Sequence, residues 1–285
     1  MAESGSVVDG LIDTARYPFG DLEACREVVV SARSELADRG CCVLPGFVRS
    51  GFREILRQEC AALAPLAHPV TEMVNVYKSD PDPGLPSDHP ARLVMRRGNA
   101  LVARDRIPRG TVIQRLYAHG PFQRFLAECF GLPALYELGD PLAGLCLNVI
   151  PPRNAHPWHF DINEFTVSMI TQLPDHGGEF EYCPNIRSAR NENRDAVRAV
   201  LTGEDKSRVR RLALNVGDLQ LFLGRYSLHQ VREVRGERTR LSAIFAYSGQ
   251  PGVVGGRERT QRLFGRVQPQ HRAGAKDASV DGLLA

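Results

Sequence analysis

Apolar residues recur at helical spacing in the first half of this chain and switch to a two-residue period in the second. Leu22, Cys25, Val29, Ala32 and Leu36 fall three or four apart, so Asp21 is expected to cap a helix that runs to about Arg39 and stops at Gly40. Cys41-Cys42-Val43-Leu44-Pro45-Gly46-Phe47 reads as a short buried strand and a turn, and Phe52, Ile55, Leu56, Cys60 and Leu63 mark the apolar face of a second helix. Pro, Asp and Gly crowd residues 78–90, which predicts a loop. A third helical region is expected over 111–130, broken at Gly120-Pro121.

From Leu145 onward the segments 145–150, 165–172, 179–183, 212–216, 219–223, 227–234 and 240–247 either alternate or are apolar throughout. Turns at Asp175-His176-Gly177-Gly178, Asn215-Val216-Gly217-Asp218 and Arg235-Gly236-Glu237 separate several of them. Many short, punctuated strands predict a mainly β fold with flanking helices, a sandwich or jelly roll. Ala196, Val197, Val200 and Leu201 place a helical insertion near 190–203. The expected organisation is one structural domain. A helical N-terminal part spans 1–140, the main jelly-roll strands 141–252, and a basic, partly ordered and solvated extension 253–285.

Charge narrows the picture modestly. The 36 basic residues against 33 acidic leave a net +3, too little to indicate a nucleic-acid partner, and no basic run is interleaved with aromatics. Seven cysteines, an odd number with no C-x-x-C pair, do not form a disulfide or zinc-ribbon pattern. No signal peptide is read in Met1–Gly10, and no run of about 18 apolar residues suggests a membrane span. The expected compartment is a reducing cytoplasm.

Three features carry candidate chemistry. In a strand, residues two apart share a face, so His159 and Asp161 can converge on one metal ion. His159-Phe160-Asp161 alone has a bland reading, a polar pair at a strand end, and His229 alone reads as a packed core histidine. Together they form a two-histidine, one-carboxylate set that leaves three coordination positions open, the requirement of an oxygen-activating iron(II). The third feature is Arg240-Leu241-Ser242, where Arg240 and Ser242 share a face and a planar guanidinium can meet a carboxylate bidentately. Arg238 lies on the same face and is a rival for that role.

The runs Trp158-His159-Phe160-Asp161-Ile162-Asn163-Glu164-Phe165-Thr166-Val167 and Gly177-Gly178-Glu179-Phe180-Glu181-Tyr182 resemble the iron(II)/2-oxoglutarate dioxygenase superfamily. Pro184-Asn185-Ile186-Arg187, the insertion at 193–201 and Gly224-Arg225-Tyr226-Ser227-Leu228-His229 make residues 140–252 similar to the branch of free-amino-acid radical halogenases and their hydroxylase relatives. The resemblance implies a double-stranded β-helix with Fe(2+) at one open end and 2-oxoglutarate and O2 as co-substrates. Halogenases of that branch have a small residue where this chain has Asp161, so hydroxylation is expected; desaturation or cyclisation could follow from the same substrate radical. Asn148 is expected to hydrogen-bond the co-substrate, against the reading of an ordinary strand amide. His156 and Trp158 are expected at the substrate mouth, although Trp158 equally suits packing on the sheet. Arg96, Arg97 and Asn99 are candidates for a substrate carboxylate, against the reading of a solvated charge cluster. Ile162 stands where a basic-amino-acid halogenase has an acidic group, which argues against a lysine-like substrate. The expected partner is a small polar molecule, a free or derivatised amino acid. The competing readings are a protein or peptide hydroxylase, a metabolite-binding jelly roll without metal, and a zinc hydrolase.

Overall fold

A computed structural model describes residues 8, 10–79, 82–272 and 283. Most of Met1–Gly10, and the extension beyond Arg272 apart from residue 283, lie outside the described residues. In chain order the main elements are α1 (Arg26–Arg39), β1 (Cys41–Leu44), α2 (Arg53–Leu63), β2 (His68–Val74), β3 (Met95–Val102), α3 (Val112–Tyr117) and α4 (Gly120–Phe130). There follow β4 (Leu145–Ile150), β5 (His156–His159), β6 (Thr166–Gln172), β7 (Phe180–Cys183), α5 (Arg194–Leu201), β8 (Arg210–Leu212), β9 (Leu219–Phe222), β10 (Leu228–Val231), β11 (Arg240–Phe245) and α6 (Arg257–Phe264). Two antiparallel sheets face each other. The larger has the order β1-β9-β6-β11-β4-β3-β2 and the smaller β8-β7-β10-β5. This is the jelly roll expected from the strand pattern.

The larger sheet sorts its side chains by the period of the strand. Cys42 and Leu44, Leu219 and Leu221, Val167 and Met169, Leu241, Ala243 and Phe245, and Leu145, Leu147 and Val149 all point to one side, into a core shared with α1, α2 and α4. The helices supply Val29, Ala32, Leu36, Leu56, Cys60, Phe122 and Phe125. Phe122 sits at the centre of an aromatic group, its ring 6.2 Å from Phe19, 5.6 Å from Phe47 and 6.2 Å from Phe245. The other side of the sheet carries Ser168, Gln220, Asn148, Arg240 and Ser242, facing a cavity.

The structure departs from the pattern-based expectation in four places, the first being that α1 begins at Arg26, while Asp21 Oδ1 accepts the Glu23 and Ala24 N–H groups in the turn before it. β2 and β3, in the part expected to be helical, extend the larger sheet. β2 is an edge strand whose only buried positions are Val70 and Val74, so its apolar signal is sparse. The strand expected over 212–216 is instead β8, Arg210–Leu212, because Asp218 Oδ2 accepts the Asn215 N–H at 2.8 Å and closes a turn there. The expected solvated tail contains α6, which packs on β2 and β3 and buries Thr260 and Phe264. All seven cysteines are buried and free. Among the described residues, no helix is long and apolar enough to cross a membrane.

Deleting the Phe122 ring leaves a void between α4 and the sheet. Phe122→Ala is expected to lower unfolding stability by about 3–5 kcal/mol, read as a reduced denaturant midpoint with an unchanged slope.

Candidate active site

β5 and β10 pair antiparallel, His229 opposite His159 and Val231 opposite His156. Pro157 and Trp158 of β5 thus oppose the single Gln230 of β10, a β-bulge. Its consequence is that both His156 and His159, of opposite parity, line the cavity. Past the strand, the Phe160 N–H donates to Val76 O at 2.9 Å and the Asp161 N–H to Gly224 O at 3.0 Å. Phe160 thereby turns into a separate buried cluster while Asp161 turns inward.

His159, Asp161 and His229 are the one group among the described residues whose donor atoms lie within 4.8 Å of one another in metal-ligand fashion. Nε2 of each histidine is 3.6 Å from Asp161 Oδ1. Separations of that size suit a shared ion at bond lengths of about 2 Å. The Nδ1 of His159 lies 2.7 Å from Pro157 O and that of His229 2.9 Å from Ser227 O. A carbonyl can only accept, so both Nδ1 atoms carry the proton and both Nε2 lone pairs face the site. Burial holds both imidazoles below the ordinary histidine range, furthest for His159, where His156 and Lys78 add to the effect. Burial opposes ionisation of Asp161, but His229, Lys78 and the Thr166 hydroxyl outweigh it and keep the carboxyl below its usual value. Two neutral imidazoles and an ionised carboxylate are the protonation states a divalent metal needs.

Arg240 is buried alongside. Its Nε donates to Gly178 O at 3.0 Å and its Nη1 to Ser242 Oγ at 3.3 Å. Burial lowers its pKa to about 10, which leaves it charged at neutral pH.

The sequence profile of the family described as Halogenase D matches residues 25–254. The chain belongs to the halogenase D family. Among solved structures it is similar to the alpha ketoglutarate dependent carbocyclase SnoK from nogalamycin biosynthesis, at 14% identity and TM-score 0.52, covering 89% of this chain and 94% of that one. It is also similar to the epimerase SnoN of the same biosynthesis, at 15% identity and TM-score 0.51, covering 78% and 83%. A prolyl hydroxylase from Trichoplax adhaerens, solved with a peptide of hypoxia inducible factor, aligns at 13% identity and TM-score 0.50 over 79% and 91%. No curated protein matches the chain by sequence. The fold of this halogenase D family member is thus shared with non-heme alpha ketoglutarate dependent enzymes.

Within this family member the remaining candidates divide by position. Asn148 lines the cavity at the end of a buried polar chain. Glu72 lies 3.3 Å from Arg97 Nη1, Arg97 Nε donates to Asn99 Oδ1 at 2.7 Å, and Asn99 Nδ2 donates to Asn148 Oδ1 at 2.7 Å. That leaves the Asn148 NH2 group for a ligand. His156 is stacked on His159 at 3.9 Å between centroids, and its buried Nε2 has no hydrogen-bond partner among the described residues. Three candidates lie elsewhere. The Arg238 side chain is 58% exposed and paired with Asp175 at 3.0 Å, whereas Arg240 is 4% exposed. Arg96 is on the outer face of β3, donating to Asn154 Oδ1 at 3.3 Å. Trp158 points away from the metal-ligand group, into a depression floored by the smaller sheet and α5.

Several cavity residues escaped the sequence reading. Lys78 Nζ lies 3.7 Å from Asp161 Oδ1, and Thr166 Oγ1 donates to Asp161 Oδ2 at 2.7 Å. Ser168 Oγ donates to Gln220 Oε1 at 3.0 Å on the cavity side of the sheet, and Arg259 enters from α6. Thr166 was visible in the Trp158–Val167 run as an alternating strand residue, but Lys78 and Arg259 had no local signal. Gly224 matters for its missing side chain, since a Cβ there would overlap the Asp161 carboxylate.

Asp161 is thus aimed by Thr166 from one oxygen and given room by Gly224. Thr166→Val and Gly224→Ala should each weaken iron(II) binding by about 10–100-fold, measured by competition with a chromogenic chelator, while thermal unfolding stays near that of the parent protein. Unchanged affinity in both variants would show that the carboxylate is oriented by other contacts.

Proposed function

We propose that this enzyme hydroxylates an aliphatic carbon of a small polar molecule, a free or derivatised amino acid. In this reading His159, Asp161 and His229 hold iron(II), while Arg240, Ser242 and Asn148 hold 2-oxoglutarate. The observation that carries the reading is the Asp161 carboxylate between two outward-facing Nε2 lone pairs. In a family whose halogenating members leave that position small, a carboxylate here takes the place that a halide would need.

Bound at this site, iron(II) with 2-oxoglutarate and O2 would supply the oxidising power for C–H cleavage, the co-substrate leaving as succinate and carbon dioxide while one oxygen atom goes to the product. The protein's own residues bind and orient. Arg240, fixed by Gly178 O and Ser242 Oγ, presents its remaining N–H groups to a carboxylate at the cavity floor. Asn148, fixed at its carbonyl oxygen by Asn99, offers amide protons to the same ligand. His156, held neutral by burial, packs against the His159 ring and limits its rotation. α6 lies across β2 and β3 and roofs the cavity, which favours a small molecule over an extended peptide in an open groove.

A screen of free and derivatised amino acids for succinate release tests the reading, with loss of turnover on omission of 2-oxoglutarate as its control. Turnover that persists without 2-oxoglutarate would refute it. Two variants sharpen the assignment. Asp161→Ala is expected to abolish hydroxylation. Arg240→Gln should raise the KM for 2-oxoglutarate about 10–100-fold, the worth of one or two charge-assisted hydrogen bonds, with a smaller change in kcat. An unchanged KM would count against Arg240 as the anchor.

A further inference from the structure

The cavity, about 660 Å³, is in the size range that encloses a drug-sized ligand and exceeds what a metal ion and a five-carbon diacid fill. Beyond Asn148 and Ser242 the sheet face continues as Leu101, Cys146 and Ile244, and α6 lowers Leu263 and Phe264 against it. Leu138 closes the same side. This half of the cavity is an apolar wall.

Between that wall and the metal-ligand group stand Lys78, whose one carboxylate is Asp161, and Arg259; of the four carboxylates that line the cavity, Glu258 is exposed and in no ion pair among the described residues. Asp140 is occupied by the N–H groups of Leu142, Ala143 and Gly255, at 2.8, 2.9 and 2.9 Å, and by His271 Nε2 at 3.1 Å. Glu72 serves Arg97 at 3.3 Å and Arg262 at 3.9 Å. Asp161 belongs to the metal-ligand group and to Thr166. Among the described residues, Lys78 has an ion pair with Asp161 alone, at 3.7 Å, and Arg259 has none. Both line the cavity. Lys78 is also held in the left-handed backbone region, φ 57°. The buried Asn75 side chain enforces that turn, accepting from the Tyr77 N–H at 3.0 Å and donating to Ala91 O at 2.7 Å. A non-glycine residue kept in such a conformation is characteristic of a ligand clamp.

We propose, resting on the oxygenase reading above, that the substrate is an amphipathic carboxylic acid. Its carboxylate lies between Lys78 and Arg259, and its apolar body runs along Leu101, Leu138, Cys146, Ile244, Leu263 and Phe264. The two oxygens of one carboxylate can pair with both cations at once, and an apolar chain removes the wall from water. A free zwitterionic amino acid would set an ammonium among like charges and leave the wall wet. An N-acylated or otherwise apolar acid satisfies both halves.

Calorimetric titration of the protein loaded with nickel(II) and 2-oxoglutarate tests this with octanoate, butanoate, octanamide and leucine as probes. Octanoate is expected to bind at least about tenfold more tightly than each of the other three. Arg259→Gln should erase the preference of octanoate over octanamide, and Arg259→Lys should retain most of it. Leu263→Ser should flatten the gain from butanoate to octanoate. Octanamide or leucine binding as well as octanoate would overturn the proposal, as would an Arg259→Gln variant of parental thermal stability that keeps the preference. A separate anaerobic addition of iron(II) and 2-oxoglutarate distinguishes the two levels. Failure to form the visible charge-transfer band would sink the oxygenase reading itself, whereas a normal band with no preference for octanoate would sink this inference alone.

Discussion

The arrangement depends on a seven-stranded sheet whose two faces carry opposite chemistry, both out of water. On one side every second residue is aliphatic or aromatic and packs on the N-terminal helices. On the other, buried polar groups must find partners, because an unpaired one costs of order 1–3 kcal/mol. They do so in short chains: Glu72 with Arg97, Asn99 and Asn148; Ser168 with Gln220; Arg240 with Gly178 and Ser242. Each chain spends its inner bonds on rigidity and leaves its last polar group facing the cavity. The sheet therefore acts as a preorganised binding surface backed by a packed core, which suits a site that must hold several ligands in register.

The smaller sheet contributes by an irregularity. A bulge in β5 turns His156 and His159 to the same side, and the chain then folds back on Val76 and Gly224 so that Asp161 meets them. The carboxylate requires more than its own codon. Thr166 orients one oxygen, and the absent side chain of Gly224 provides the volume. These neighbours accommodate the Asp161 carboxylate beside the two imidazoles.

The roof is fastened from several directions. Asp140 ties Gly255 and His271 to the turn before β4, and Arg266 meets Asp105 through two bonds of 2.8 and 2.7 Å. These contacts hold α6 down at both ends and bring Arg259 into the lining of the cavity.

Much of the site was legible from residues alone. Strand parity put Arg240 with Ser242 on one face, and His159, Asp161 and His229 form a ligand set whose chemical types suffice to suggest the metal. Short alternating or wholly apolar segments similarly announced β4, β6, β7, β9 and β11, strands buried on both faces. What escaped was set by contacts between segments far apart in the chain. β2 is a sparse edge strand, the turn at Asp218 displaced an expected strand, and α6 is basic enough to look solvated until its Phe264 and Thr260 are seen against the sheet. The choice between Arg238 and Arg240 needed the third dimension too, because both share a face locally and only the packing of Gly178 and Asp175 separates buried from exposed. Local sequence thus determined which groups could act and on which face. The cavity, its cations and its apolar wall arose only when β3, β4, β11 and α6 closed around one space, since pairing across that distance is a property of the packed chain.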